Sequence, residues 1–385
     1  MSQTEQSPTS RTTASVDALF QPYQFGRVTL PNRVVMAPMT RSQSPGKVPT
    51  DTVVEYYRRR AAGGVGLIIT EGVNPLHPPS SGYPDVPYFG SDDVAPMWKK
   101  VADVVHAEGS FIIPQIWHVG SIRQLGMEPD PNVPGHGPSP VPHPFYADKG
   151  GGDVPHEMTQ QDIDDAVASY AVSAKAAEDL GFDGLEIHGA HSYLIDQFFW
   201  EVTNQRTDRY GGKTLVERSR FAIEVIEAVR SAVSADFPVV FRYSQWKQGD
   251  YNHKMAKTPE ELEAFLKPLS EAGVDYFHAS SRRFNDPEFE GSDLNLAGWT
   301  QTLTGKPTIT VGSVGLDSDF LRSYAGKVSH KQGVDALIRR LEAGEFDLVA
   351  VGRALLSDAE WANKVREGRE NDIVEFETKF MTVYP

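Results

Sequence analysis

Cysteine is absent from this chain, which removes disulfides, thiolate zinc sites and cysteine-ligated iron–sulfur clusters together. Any redox chemistry therefore needs a borrowed cofactor. Positive charge is scarce as well: 37 Lys and Arg face 52 Asp and Glu, a formal charge of −15 with no local basic patch against it. That field repels phosphate polymers and anionic membrane surfaces, so neither nucleic acid nor membrane is an expected partner. No run is apolar enough to cross a bilayer. The first eighteen residues, mostly Ser, Thr, Gln and Pro, have no apolar stretch behind a basic start, so residues 1–18 read as a disordered tail. Cytoplasmic location is the expectation. Internal repeats and a second domain are missing too, which leaves residues 19–385 as one unit whose oligomeric state is open.

What the chain does have is alternation. Short runs rich in Val, Ile and Phe recur at Arg33 to Met39, Val65 to Glu71, Phe111 to Trp117, Phe182 to His188, Pro238 to Ser244, Val274 to Ser280, Pro307 to Val314 and Phe346 to Arg353. Most are apolar at consecutive positions, as parallel strands buried on both faces require. Amphipathic stretches lie between them, roughly Asp51 to Ala62, Asp93 to Glu108, a helix opened by Thr159 and closed before Gly181, Leu215 to Val233 and Pro259 to Ala272. Eight such units predict a closed (β/α)₈ TIM barrel. A hairpin over Val28 to Arg33 is expected to plug its bottom. The long segment Gly120 to Glu157 after the third strand, crowded with Pro, Gly and His, is expected to be a lid or binding loop.

Polar residues gather where the strands end, on the face where barrels keep their active sites. They are Thr40, Gly72, Gln115 with Trp117, His188 with His191 and Tyr193, Arg242, Gly312 with Ser313, and Gly352 with Arg353. In HGAHSY, positions 188 to 193, two neutral imidazoles can hold a carbonyl oxygen as negative charge grows on it, and a phenol can deliver a proton. Buried histidines bonded to backbone, or a zinc site for which no third ligand is evident, are the other readings of the pair. The glycines of VGSVG (311 to 315) and VGRALL (351 to 356) let backbone approach a phosphate, and Arg353 adds a forked cation. A flavin phosphate, a phosphorylated substrate or an unliganded tight turn all suit that pattern. Arg242, buried at the end of the fifth strand, needs an anion or polar ring beside it, or a core carboxylate.

APMTR at 37 to 41, GLIITEG at 66 to 72, PQIW at 114 to 117, HGAHSYLIDQFFW at 188 to 200, NQRTDRYGG at 204 to 212, VGS at 311 to 313 and VAVGRALLSD at 349 to 358 together resemble the Old Yellow Enzyme family of FMN reductases. The resemblance runs from about Leu19 to about Trp361. It implies non-covalently bound FMN with NAD(P)H as reductant, and reduction of the activated C=C bond of α,β-unsaturated carbonyl or nitro compounds. It implies that Pro38, Met39, Thr40, Gly72 and Gln115 line the isoalloxazine and that Arg242 sits by N1 and O2. Gly312, Ser313, Gly352 and Arg353 would then receive the phosphate. His188 and His191 would hold the substrate oxygen, Tyr193 would protonate Cα, and Trp117 would shape the pocket. Thr40 stands where one branch of the family has a cysteine, and the chain lacks the cluster-ligating cysteines of the large dienoyl-CoA reducing relatives. Two rivals stay open: FMN-dependent oxidative N-demethylation of a betaine-like or N-methyl amino acid, with Arg282 and Arg283 as candidate carboxylate ligands, and a non-redox barrel that binds a phosphometabolite. Substrate choice and NADH versus NADPH depend on loop geometry.

Overall fold

The eight apolar runs become eight parallel strands, labelled β1 (Val34–Met36), β2 (Leu67–Pro75), β3 (Phe111–Ile116), β4 (Leu185–His188), β5 (Val239–Tyr243), β6 (Tyr276–Ser280), β7 (Thr308–Val311) and β8 (Leu348–Val351) in a computed structural model that describes residues 15–326 and 328–383. Each pairs in parallel with its sequence neighbours, and β8 returns to β1 through Val349 opposite Val34, so the sheet closes. Side chains alternate across the pleat. Val35, Leu67, Ile69, Ile113, Val240 and Ile309 fill the interior, while Val34, Met36, Ile68, Ile112, Phe241 and Phe277 face the helices. Both faces are therefore apolar, which is why the strands read as unbroken hydrophobic runs.

The outer layer comprises α1 (Asp51–Ala62), α2 (Ala95–Ala107), α3 (Gln160–Asp179), α4 (Arg220–Ala232), α5 (Pro259–Ala272), α6 (Leu296–Thr304) and α7 (Asp335–Glu342), with the short helix Trp361–Arg366 after β8. Thr159 caps α3 by accepting from the Asp162 amide at 3.2 Å, and the Asp162 carboxylate takes the Thr159 N–H at 2.8 Å in return. On α4, Phe221, Ala222, Val225, Ile226 and Val229 form the buried stripe. No helix among the described residues is long and apolar enough to cross a membrane.

The structure corrects three boundaries. The plug hairpin pairs Tyr23–Phe25 with Val28–Leu30, so its first strand lies upstream of the expected Val28 to Arg33 segment. The two residues between them, Gly26 at φ +52° and Arg27, make the turn, and Phe25 and Leu30 reach into the barrel interior, Phe25 4.6 Å from the Tyr276 ring. Strand β2 continues past Glu71 to Pro75, and its register with β3 jumps between Ile69 and Gly72. That bulge places one extra residue in β2 and re-aims Glu71 and Gly72. Of the expected tail, residues 1–14 lie outside the described residues, and 16–18 belong to the 3-10 helix Val16–Phe20 instead.

The first part of the segment 120–157 is tied together by a buried cation. The Arg123 guanidinium donates to the carbonyls of Val133 (2.9 Å), Glu128 (2.8 Å) and Met127 (2.8 Å). At the base of the loop, His136–Gly137 and His156–Glu157 form a two-stranded parallel ribbon.

Candidate active site

At the C-terminal mouth of the barrel lies a cavity of about 470 Å³, and the fourteen residues named from the sequence as flavin, substrate or proton-donor positions all line it. Strand β4 alternates Leu185 and Ile187 outward with Glu186 and His188 inward, and the chain then makes a sharp turn. Gly189 is needed there, because a Cβ would sit 2.3 Å from the Phe241 ring. After Ala190, His191 (φ +61°) and Ser192 (φ +62°) are both left-handed. Each costs on the order of 1–2 kcal/mol in a residue with a side chain, so neighbouring groups must hold them. They do: His191 N donates to Ser244 Oγ at 3.1 Å, Ser192 N to Asp196 Oδ2 at 2.6 Å, and Ser192 O accepts from Gln197 Nε2 at 2.7 Å.

The turn gathers three rings at one end of the cavity. The His188 ring lies 5.2 Å from that of His191 and 5.4 Å from that of Tyr193. Trp246 stacks on His191 at 4.3 Å, and Trp117 stands edge-on to Tyr193 at 4.8 Å. Burial, reinforced by the Arg242 charge, holds both imidazoles well below their ordinary pKa, so they are neutral. His191 Nε2 pairs with Ser280 Oγ at 2.8 Å, whereas His188 Nδ1 is buried with no partner among the described residues. The Tyr193 hydroxyl lies 3.1 Å from that of Tyr83 and accepts from Gln248 Nε2 at 3.0 Å.

Beneath these rings is a layer set by strand register. His188, Arg242 and His278 are lateral neighbours across β4, β5 and β6, and Gln115 lies beside Glu186 across β3 and β4. Glu186 is fully buried and accepts from Gln115 Nε2 at 2.7 Å and from His278 Nδ1 at 2.6 Å. It also offsets part of the desolvation of Arg242, whose pKa burial lowers. Arg242 Nη2 donates to Ser280 Oγ at 3.3 Å, while its Nε is buried without a partner among the described residues. Sequence reasoning passed over Glu186, His278 and Ser280. The signal was present: LEIH and YFHAS place a polar residue at every second, inward position.

Along the wall, the β2 bulge sends Glu71 outward to take the Arg41 N–H at 2.9 Å, which shapes the Pro38–Arg41 turn, and brings Gly72 to the cavity. A Cβ on Gly72 would come within 2.5 Å of Trp117. Arg41 in turn donates to the carbonyls of Met381 (3.1 Å) and Phe380 (3.2 Å), so the C-terminal segment borders the site and Met381 lines it. At the far end, Gly312 has φ +138° and a Cβ there would lie 2.7 Å from the Ser281 carbonyl, so no other residue fits. The Arg353 guanidinium is held by Ser323 Oγ at 2.6 Å and Ser329 Oγ at 3.1 Å. Arg282 lines the cavity, and its carbonyl accepts from Ser313 Oγ at 3.0 Å, at the glycine end and not the histidine end. Arg283 does not line it.

The described residues suit a flat, polar-edged group with an anionic tail. Three buried donors or acceptors on one wall, His188 Nδ1, Arg242 Nε and Trp117 Nε1, have no protein partner among the described residues. Orphans of this kind are expected only where something else completes them. The glycine end, open to close backbone approach beside Arg353, suits a phosphate.

A family model described as the NADH:flavin oxidoreductase / NADH oxidase family matches residues 18–372. An NADH oxidase from Thermoanaerobacter brockii is 34% identical over 92% of this chain, which spans only 52% of that protein's length. 12-Oxophytodienoate reductase 2 of Arabidopsis thaliana is 33% identical over 88% of the chain and 86% of its own length. Morphinone reductase, solved in complex with tetrahydroNAD, superposes with a TM-score of 0.75 at 28% identity, covering 95% of this chain and 97% of that one. With the barrel, the cavity and these likenesses in agreement, the chain belongs to the NADH:flavin oxidoreductase / NADH oxidase family, FMN-dependent enzymes of the Old Yellow Enzyme type.

Proposed function

We propose that this enzyme uses NAD(P)H to reduce the activated C=C bond of α,β-unsaturated carbonyl or nitro compounds, in the cytoplasm. The observation that carries the reading is the unsatisfied His188 Nδ1 beside a neutral His191, in one cavity with the Tyr193 hydroxyl. Pro38, Met39, Thr40, Gly72 and Gln115 would hold the flavin ring, Arg242 its pyrimidine edge, and Gly312, Ser313, Gly352 and Arg353 its phosphate. When bound, FMN supplies two-electron hydride transfer in a ping-pong cycle, taking its electrons from NAD(P)H.

The chain's own residues then have separable tasks. Arg242, buried and anchored on one side by Ser280, puts fixed positive charge where negative charge collects. His188 and His191 bind the activating oxygen of the substrate; because they stay neutral they polarise it by hydrogen bonding, without protonating it. Tyr193, whose hydroxyl is oriented by Tyr83 and Gln248, gives a proton to Cα. Trp117 closes the pocket against Tyr193.

Phenols mimic the enolate that this arrangement stabilises. Replacing both histidines, His188→Ala with His191→Ala, is expected to abolish phenol binding and its long-wavelength absorption band while the protein stays yellow; an unchanged phenol titration would remove the two roles. Arg282 supports no carboxylate-binding role at the histidine end, so the demethylating reading gains nothing from it; formaldehyde release from N-methylated amino acids would revive that reading. A colourless protein that does not take up FMN would favour the non-redox barrel.

A further inference from the structure

Outside the barrel mouth, the ribbon at the base of the long loop brings together a second set of ligand-bearing side chains. His136 and His156 are cross-strand partners, their rings 4.8 Å apart. One ring nitrogen from each and a carboxylate oxygen of Asp162, in the first turn of α3, lie within 4.8 Å of one another. We propose that His136, His156 and Asp162 form a binding site for a divalent transition metal of the zinc class, which ties the loop after β3 to the start of α3.

Three features favour a metal over a plain hydrogen-bonded cluster. His136 Nδ1 is buried with no hydrogen-bond partner among the described residues, so the ring has coordinating capacity that the protein leaves unused. Asp162 Oδ2 is already fixed by Thr159 N at 2.8 Å and Thr159 Oγ1 at 2.6 Å, the kind of outer support that orients a ligating carboxylate and leaves Oδ1 open. Finally, His77 and His118 back the site: Gly120 N donates to His118 Nδ1 at 3.1 Å, which leaves His118 Nε2–H to donate to His77 Nδ1 at 2.9 Å. The His77 ring, its own proton thereby placed on Nε2, stands edge-on to His136 at 5.7 Å.

Two nitrogens and one oxygen select a borderline ion such as zinc over magnesium or calcium, which prefer all-oxygen sites. Zinc ligand atoms in a tetrahedral site lie roughly 3.3 Å apart. Binding therefore draws the three groups inward, which exposed His156 on its short ribbon is free to do; at present its Nε2 sits 2.9 Å from Asp162 Oδ2. Water completes the coordination. The consequence reaches the cavity, because the loop beyond the ribbon packs Phe145 against the cluster holding Trp117 and Tyr193, and His143 Nε2 bonds the Ser192 carbonyl at 2.9 Å.

The test uses tag-free, chelator-treated holoenzyme, titrated with zinc chloride by calorimetry and followed by amide hydrogen exchange. One saturable zinc site per chain is expected, with slower exchange over residues 135–158. Both effects should be lost in His156→Ala, whose ring is exposed, and in His136→Gln, and kept in His330→Ala, which alters a surface histidine elsewhere. Magnesium should produce neither. Failure of the wild type to take up zinc, uptake unchanged in His156→Ala, or uptake without slowed exchange at 135–158 would each overturn the proposal.

Discussion

Gly72 shows how tightly single residues are placed around the cavity. Its Cα faces the Trp117 ring so closely that a methyl group would have to displace the indole, which is itself buried. Gly72→Ala is therefore expected to destabilise the protein by about 1–3 kcal/mol, the usual cost of overpacking. It should also weaken phenol binding by pushing Trp117 toward Tyr193; denaturant melts and phenol titrations of the variant check the two parts separately. The mouth residues were legible in the sequence because a polar side chain at the end of an apolar strand stands out. Glu186 and His278 were marked only by the alternation in LEIH and YFHAS, and it takes the lateral pairing of β3 to β6 to show that Gln115, Glu186 and His278 form one hydrogen-bonded chain beside Arg242. Tyr83, Trp246 and Gln248 lie on loops, where no periodicity marks them.

Between residue and barrel, the short helix Leu194–Phe199 fixes the left-handed turn before it. Asp196 holds the Ser192 amide with one oxygen and the Lys247 ammonium with the other, both charged side chains being fully buried. Lys247 comes from the loop after β5, so this pair bolts two neighbouring βα loops together beneath the histidines. Removing one partner of such a pair leaves an uncompensated buried charge, at roughly 3–5 kcal/mol. Asp196→Ala is expected to lose stability on that scale, and Asp196→Ala with Lys247→Met should recover much of it. Phenol affinity should stay low in both, because neither restores the Ser192 anchor; recovery of phenol binding in the double variant would show that the turn does not need it. Elements of this size were legible where local chemistry declares them, as at α1, α5 and the Thr159 cap. The β2 bulge was not, because an extra residue in a strand leaves no mark on composition, and the first hairpin strand was missed because Tyr23–Phe25, with a polar Gln24 at its centre, carries no Val/Ile-rich run.

Across the whole molecule, burial decides how stability varies with pH. His118, His143, His188 and His191 are all held below the ordinary histidine value of 6.5 by burial first, His143 down to about 4. Between pH 6.5 and about 4 the unfolded chain takes up protons that these folded sites refuse, so the unfolded state binds more protons and stability falls as pH falls. His143 alone accounts for on the order of 3 kcal/mol across that window. Glu71 works in the opposite sense. Burial raises it from 4.5 to about 7, so over that range the folded chain keeps a proton the unfolded chain has released, and stability falls as pH rises. His77, His136, His253 and His278 are depressed as well, and among the described residues these eight histidines outweigh the four raised carboxyls Glu71, Asp196, Glu288 and Asp347, so the melting temperature of the holoenzyme is expected to drop on acidification below pH 6.5. In Glu71→Gln the acid-side drop should steepen, because one opposing contribution is gone. A melting temperature that is flat from pH 6.5 to 4 would mean that these histidines are charged in the folded protein, and a pair of charged imidazoles would repel each other and Arg242 at the one place where the proposed chemistry needs them neutral.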